Sequence, residues 1–254
     1  MPSSSQIALI TGANRGIGRS AAVHLARAGV DVILTYRSHS EEAAAVVSEL
    51  TELGRSATAL QLDVGVVGSF EAFAEQLRGA LQDIWGTDGF DFLVNNGGMS
   101  IPGAFADVTE QDLDQLIDVH FKGVFFLTQK LLPLLADGGA IVNISTGLTR
   151  FTSPQRVAYA SVKGAVEVFT RHLAQELGPR GITVNTIAPG AIATDFGGGI
   201  VRDNPEIGER IAGLTALGRT ATADDVGPAI AALLGQGNRW ITAQRIEVSG
   251  GMHL

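Results

Sequence analysis

Tyr159 and Lys163, in the run Tyr159-Ala160-Ser161-Val162-Lys163, are the residues of this chain best suited to move a proton. At positions i and i+4 of a helix their side chains share one face and lie one turn apart. A free tyrosine titrates near ~10, and lowering that by about three units takes ~4 kcal/mol of differential stabilisation of the phenolate. A lysine held close in a dry cleft supplies much of it. The same spacing also arises where a half-buried tyrosine merely neighbours a solvated lysine. The rest of the chain has to decide between them.

A second group of residues points to a bound nucleotide. An apolar run at Ile7–Thr11 leads directly into Thr11-Gly12-Ala13-Asn14-Arg15-Gly16-Ile17-Gly18 and then a helical pattern, a G-x-x-x-G-x-G spacing. Glycines there allow a tight strand-to-helix turn and close approach of backbone to a pyrophosphate, which sits at the positive N-terminal end of the helix. A Walker-type ATP loop is disfavoured, because no Lys-Ser or Lys-Thr follows the last glycine.

The second strand ends Leu34-Thr35-Tyr36-Arg37-Ser38, with no acid before Glu41 to hold a ribose 2′-hydroxyl, and Asp31 comes too early. Arg37 and Arg15 instead suit a 2′-phosphate, through charge-assisted forked contacts, with Ser38 adding a hydroxyl. The alternative is that both arginines are simply solvated. The expected cofactor is NADP(H) in preference to NAD, held by Gly12, Asn14, Arg15, Gly16, Ile17, Gly18, Tyr36, Arg37 and Ser38.

These groups need a scaffold. Short β-branched runs at Ile7–Thr11, Val32–Thr35, Thr58–Gln61, Phe92–Asn95, Ala140–Ser145, Thr183–Ala188 and Ile246–Val248 read as strands. Helical patterns lie between them near 17–28, 41–53, 67–81, 110–135, 156–177 and 223–234. Strands apolar on both faces, alternating with helices, predict right-handed βαβ units in a doubly wound parallel sheet. No linker divides residues 1–254, so one domain is expected. Within it, residues 191–222, with Gly197-Gly198-Gly199, Asp203, Asn204 and Pro205, read as a mobile segment covering the substrate. The 156–177 pattern and the stretch around Phe121, Val124, Phe125, Phe126 and Leu127 are apolar nearly all round. A second apolar stripe implies a second packing partner, here another copy of the chain.

Composition narrows the function classes. With 45% hydrophobic and 17% charged residues, the 254-residue chain can bury a large core. A net charge of −8 without a basic run argues against nucleic acid or an anionic membrane as partner. Zero cysteines exclude disulfides and thiol chemistry, and the histidines at 24, 39, 120, 172 and 253 lack metal-ligand spacing. No signal-like or membrane-spanning run is present, so a soluble cytoplasmic protein is expected.

Taken together the residues resemble the short-chain dehydrogenase/reductase family, in its compact branch, over the whole chain. The resemblance rests on Thr11–Gly18, Asp63-Val64, Asn95-Asn96-Gly97-Gly98, Asn143-Ile144-Ser145-Thr146, Tyr159/Lys163, Pro189-Gly190 and Gly250-Gly251. It implies a Rossmann fold with seven parallel strands in the order 3-2-1-4-5-6-7, helices on both faces, and assembly as a homodimer or homotetramer. It also implies hydride transfer between nicotinamide and a carbonyl or secondary alcohol. Tyr159 would be the general acid/base, and Lys163 would tune it and bind the nicotinamide ribose. Asp63 and Val64 would flank the adenine, with Asn96, Gly97 and Gly98 along the adenosine; Asp63 could also cap the next helix. Pro189, Gly190, Ile192 and Thr194 would hold the nicotinamide amide and pyrophosphate.

Two departures from the family pattern stand out. The catalytic serine position, thirteen residues before the tyrosine, is Thr146. Neighbouring residues on a strand end face opposite ways, so Thr146 is assigned the role, with Ser145 as the alternative if a bulge turns it inward. His120 replaces the usual asparagine of a water-mediated relay. It would either join that relay, adding a titration near ~6–7, or be a buried histidine bonded to backbone. Met99, Ile101, Leu148, Phe151, Ile192, Phe196 and residues 197–215 are expected to line a mostly apolar pocket, with Arg150 and Arg156 available to an anion. The rival reading is a nucleotide-binding regulator or scaffold of the same fold with weak or no turnover.

Overall fold

Successive residues of the central strands go to opposite cores, as period-two geometry requires. The computed structural model describes residues 5–254. In β1 (Ile7–Ile10), Ala8 and Ile10 join one buried cluster while Ile7 and Leu9 join the other. The first cluster lies under α1 (Gly16–Arg27), α2 (Ser40–Glu52) and α9 (Gly227–Leu234). The second lies under α3 (Phe70–Trp85), α5 (Gly123–Leu131) and α6 (Val157–Leu177). Between them run β2 (Asp31–Tyr36), β3 (Ala57–Gln61), β4 (Phe90–Asn95), β5 (Leu135–Ile144), β6 (Thr183–Pro189) and β7 (Arg245–Val248). All six pairings are parallel, in the order 3-2-1-4-5-6-7. The expected fold is therefore the observed one, and a single sheet takes in the chain from Ile7 to Val248.

Three regions differ from the sequence expectation. The helix expected over 110–135 is divided: α4 (Glu110–Ile117) gives way to a π turn at Asp118–Lys122 before α5, and a 3-10 turn at Leu132–Leu134 follows. Pro133, lacking an N–H, suits that final turn. Periodicity alone does not register one extra residue in a turn. At its other end α3 runs past residue 81 to Trp85, where left-handed Gly86 caps it. Finally, the 191–222 segment contains α7 (Ile200–Asp203) and α8 (Pro205–Gly213), the latter capped by Asn204 accepting from Ile207 N at 3.1 Å. These two helices are too short to leave a clear period in the sequence.

Candidate active site

Where β1 meets α1 the backbone is shaped for a close visitor. Gly12 and Gly16 have φ of +62° and +58°, a region that favours glycine. A Cβ on Gly18 would lie 2.6–2.8 Å from the Asn96 amide, Gly12 O and Ala13 Cα, so helix and loop touch backbone to backbone. Thr11 Oγ1 accepts from Asn96 N (2.9 Å) and Gly97 N (2.8 Å), and the Asn96 side chain donates to Thr11 O and Gly12 O. The β4 turn thus pins the glycine loop. At the start of α1, Arg15 offers no side-chain cap and no acidic residue occupies the first turn. Its amides suit an anion such as a pyrophosphate.

The other expected nucleotide contacts share this edge of the sheet. Arg37 is exposed and makes no side-chain ion pair among the described residues, and Ser38 is exposed beside it. Arg15 lies 3.9 Å from Glu42 and from Asp195, and Asn14 donates to Glu42 at 2.8 Å. Asp31, excluded from the sequence as too early, is buried and accepts from Ser56 N and Trp85 Nε1. Asp63 accepts from Gly65 N at 2.9 Å, closing a turn rather than capping α3. Thr194 faces Gly16, and Gly190 packs on Ser249. Ile192 pairs with Ala221. From Gly16 and Thr194 a cleft of ≈ 320 Å³ continues past Arg19 and Arg202 to Asp224.

Tyr159 and Lys163 lie on the inward face of α6, only 7% and 4% exposed. The Lys163 ammonium donates to Ile144 O at 2.7 Å and sits 5.9 Å from the centre of the Tyr159 ring. Burial drives Lys163 down from 10.5 to about 7. Burial also pushes the Tyr159 phenol well above its ordinary value, with the Arg156 charge and the Thr146 hydroxyl pulling weakly the other way. The expected acidification by Lys163 is not what the pocket favours: desolvation is the largest influence on the phenol, and the charge that opposes it is that of Arg156.

His120 is fully buried, delivered inward by the π turn, and its ring meets Tyr159 edge-on at 5.3 Å. Nε2 lies 2.7 Å from Met99 O and 3.3 Å from Met99 N. The shorter contact is to an atom that can only accept, so this nitrogen carries the proton and the longer N–H contact is not a hydrogen bond to it. Nδ1 is then a bare acceptor, and it finds no donor among the described residues. Burial and the Lys163 charge hold His120 well below its ordinary range, so it stays neutral and the titration expected near ~6–7 is not available. Gly98 must be glycine here, since a Cβ would stand 2.8 Å from the imidazole.

Thr146 and Ser145 face opposite ways at the end of β5. Ser145 donates to Glu167 Oε1 at 2.7 Å, inside a cluster where Arg245 binds Glu167 (2.8 Å), Glu247 (3.0 Å) and Thr146 O (3.2 Å). Thr146 turns toward the tyrosine and accepts from Leu148 N at 3.3 Å. Beneath both runs a buried polar chain: Asn95 donates to Thr128 and Asn143, Asn143 to Thr170, and Thr186 to Thr170. Fully paired, it ties β4, β5 and β6 to α5 and α6 under the site.

Chain comparisons decide the lineage. The family model described as enoyl-(acyl carrier protein) reductase matches residues 12–253. The chain belongs to the short-chain dehydrogenase/reductase family. It is 35% identical over 250 residues to the 3-oxoacyl-[acyl-carrier-protein] reductase FabG of Staphylococcus aureus, covering 97% of this chain and 98% of that one. The promiscuous reductase LugOII, which catalyses keto-reduction at C1 during lugdunomycin biosynthesis, superposes with a TM-score of 0.94 at 39% identity and 99% coverage of both chains. The landomycin C-6 ketoreductase LanV, solved with bound NADP and rabelomycin, gives 0.89 at 36% identity, covering 98% and 97%.

Against this short-chain dehydrogenase/reductase frame, the residues missed from sequence are second neighbours. Glu167 and Arg245 behind Ser145, and Ser100 hydrogen-bonded to Arg156 at 2.8 Å, belong to no glycine or Tyr/Lys motif. For Glu167 the available signal was its place four residues after Lys163, on the same face of the 157–177 helix. Arg150, read as available to an anion, is instead occupied by Glu247 and by the carbonyls of Met252 and His253. Among the described residues no cluster of three potential ligands could hold a metal, and no helix is long and apolar enough to cross a membrane.

Proposed function

We propose that this protein is an NADP(H)-dependent reductase of carbonyl compounds, working in the cytoplasm, with Tyr159 as the proton donor. The observation that carries this reading is the buried Tyr159 beside the inward-facing Thr146, with Lys163 beneath, at the same sheet edge as a glycine loop shaped for pyrophosphate. The bound NADP of LanV and the keto-reductions named for LanV and LugOII support it. NADPH, when bound, would supply the hydride. Gly12, Asn14, Gly16, Ile17 and Gly18 would hold its pyrophosphate side. Arg15, Arg37 and Ser38 would hold its 2′-phosphate, with Tyr36, Asp63, Val64, Asn96, Gly97 and Gly98 along the adenosine. Pro189, Gly190, Ile192 and Thr194 would lie toward the nicotinamide.

This chain's own part is to bind the carbonyl and deliver a proton. A phenol raised above its ordinary value is fully protonated at neutral pH, so Tyr159 starts loaded as an acid. Thr146 donates a second hydrogen bond to the same carbonyl oxygen, where charge develops. Lys163 returns a proton to the tyrosine side, a role its fall to about 7 suits. The bare Nδ1 of neutral His120 is an acceptor for a relay water.

Assembly through the aromatic face of α5 and α6 completes the proposal. Phe125 meets Phe169 at 5.0 Å in a tilted contact and Phe126 edge-on at 5.1 Å, while Phe126, Val157 and Val168 remain 39–47% exposed. A homodimer or homotetramer would cover them. NADPH oxidation measured across ketone classes tests the activity. Tyr159→Phe is expected to lower kcat by roughly 10²–10⁴-fold while NADPH binding, read by fluorescence, persists. Turnover at the wild-type rate in that variant would remove Tyr159 from the mechanism.

A further inference from the structure

Most arginines near the mouth of the site are already matched by carboxylates. Arg150 pairs with Glu247, Arg202 with Asp195 and Asp203, Arg219 with Asp225, and Arg245 with Glu167 and Glu247. Arg156 is different. It is half-buried, its one side-chain hydrogen bond goes to the Ser100 hydroxyl at 2.8 Å, and among the described residues no carboxylate stands within ion-pair distance. It also occupies the N-cap of α6, where the helix's positive end makes a cation unfavourable. A cation placed against the helix field and partly removed from water calls for an anion that the protein does not supply.

The surroundings say which molecule brings that anion. Arg156 lies three residues before Tyr159 on the same helix, and its charge is felt at the phenol. Phe196 packs 6.1 Å from the Tyr159 ring, and Gly197 lies against Ser100, the residue that holds Arg156. An anion reaching Arg156 therefore lies beside the first turn of α6, next to the carbonyl presented to Tyr159. Resting on the reductase reading above and deepening it, we propose that Arg156 is a specificity-determining residue. It selects ketones that carry an ionised oxygen, a carboxylate or an acidic phenol, within a few bonds of the reacting carbonyl.

The test compares two matched pairs with NADPH: benzoylacetate against its ethyl ester, and 2-hydroxy-5-nitroacetophenone against acetophenone. In at least one pair the wild type should favour the anion in kcat/KM by roughly tenfold to a hundredfold, as expected for a charge-assisted hydrogen bond. Arg156→Met should collapse that ratio toward one. Arg156→Gln, which keeps a donor for Ser100 and removes the charge, repeats the comparison with packing preserved. A preference confined to the first pair identifies a carboxylate, and one confined to the second an acidic phenol. Absence of preference in both pairs, or a preference that survives both variants, overturns the inference.

A calorimetric titration of the NADP-loaded protein with 3-hydroxy-3-phenylpropanoate and its ethyl ester separates this from failure of the reductase reading. No turnover on any ketone, with Arg156-dependent binding of the acid, overturns the reductase and supports the anion site. No turnover and no such binding overturns both.

Discussion

At the β1–α1 end of the cleft the groups on offer are backbone amides and exposed guanidinium groups, arranged by Gly12, Gly16 and Gly18. At the β5–α6 end they are ionisable side chains almost removed from water: Tyr159, Lys163 and His120. The first end works by shape, with glycines bringing backbone close to a ligand that carries its own charge. The second works by desolvation, which moves Lys163 to about 7 and keeps Tyr159 and His120 neutral. In the proposed function, binding and proton transfer would thus rest on different physics within one sheet edge. A substitution should reveal which end it touches by what it changes.

The contrast breaks most readily at the dry end. Thr146→Ala should lower kcat/KM by roughly a hundredfold, the scale of one lost oxyanion donor, whereas Ser145→Ala, already turned to Glu167, should cost far less. The reverse ordering in steady-state kinetics would mean that β5 presents the other residue.

At the shaped end Gly18→Ala forces a Cβ within 2.8 Å of backbone atoms that cannot yield like a flexible side chain. It should cost about 1–3 kcal/mol of stability and raise the KM for NADPH several-fold more than that for the ketone. Differential scanning calorimetry and kinetics read the two effects, and a ketone-KM effect of equal size would blur the division.

Smaller is the expected effect of Arg37→Asp. It should shift the NADPH/NADH ratio of kcat/KM toward NADH by about tenfold, from loss of a charged contact, with kcat at saturation nearly constant. An unmoved ratio would place the 2′-phosphate elsewhere.

The last signal is in stability. Lys163 falls from 10.5 to about 7 on folding. Between those values the unfolded chain therefore binds more protons than the folded one, and stability rises with pH. Below about 7 the penalty for charging the buried amine is fully present. The unfolding midpoint of the cofactor-free protein should climb across pH 7–10, and Lys163→Met should flatten the climb. An equal slope in the variant would show that Lys163 reaches water.

Much of this was legible in the sequence because it depends on local rules. Alternating apolar runs predicted the seven parallel strands, and Thr11–Gly18 gave the loop before any coordinates. That Thr146 and Ser145 face opposite ways also followed from strand alternation, and Ser145 does turn to Glu167; the choice of Thr146 as hydroxyl donor rested on the family resemblance. The π turn at Asp118–Lys122 was not legible, since one extra residue in a turn leaves the apolar period of 110–135 nearly intact. Nor was the pairing of Arg150 with Glu247, 97 residues away in the chain.

The sequence by itself determined which groups are present and in what order: a phosphate-sized glycine turn, a phenol and an amine one helical turn apart, and a hydroxyl at the end of a strand. Tertiary structure alone decided their charge states. Spacing says that Lys163 is near Tyr159, but only packing of α6 on the sheet says how much water is left between them. That packing sets the direction of the tyrosine's shift opposite to the one expected from spacing, because loss of hydration is its largest cause and Lys163 is not among the charges that oppose it.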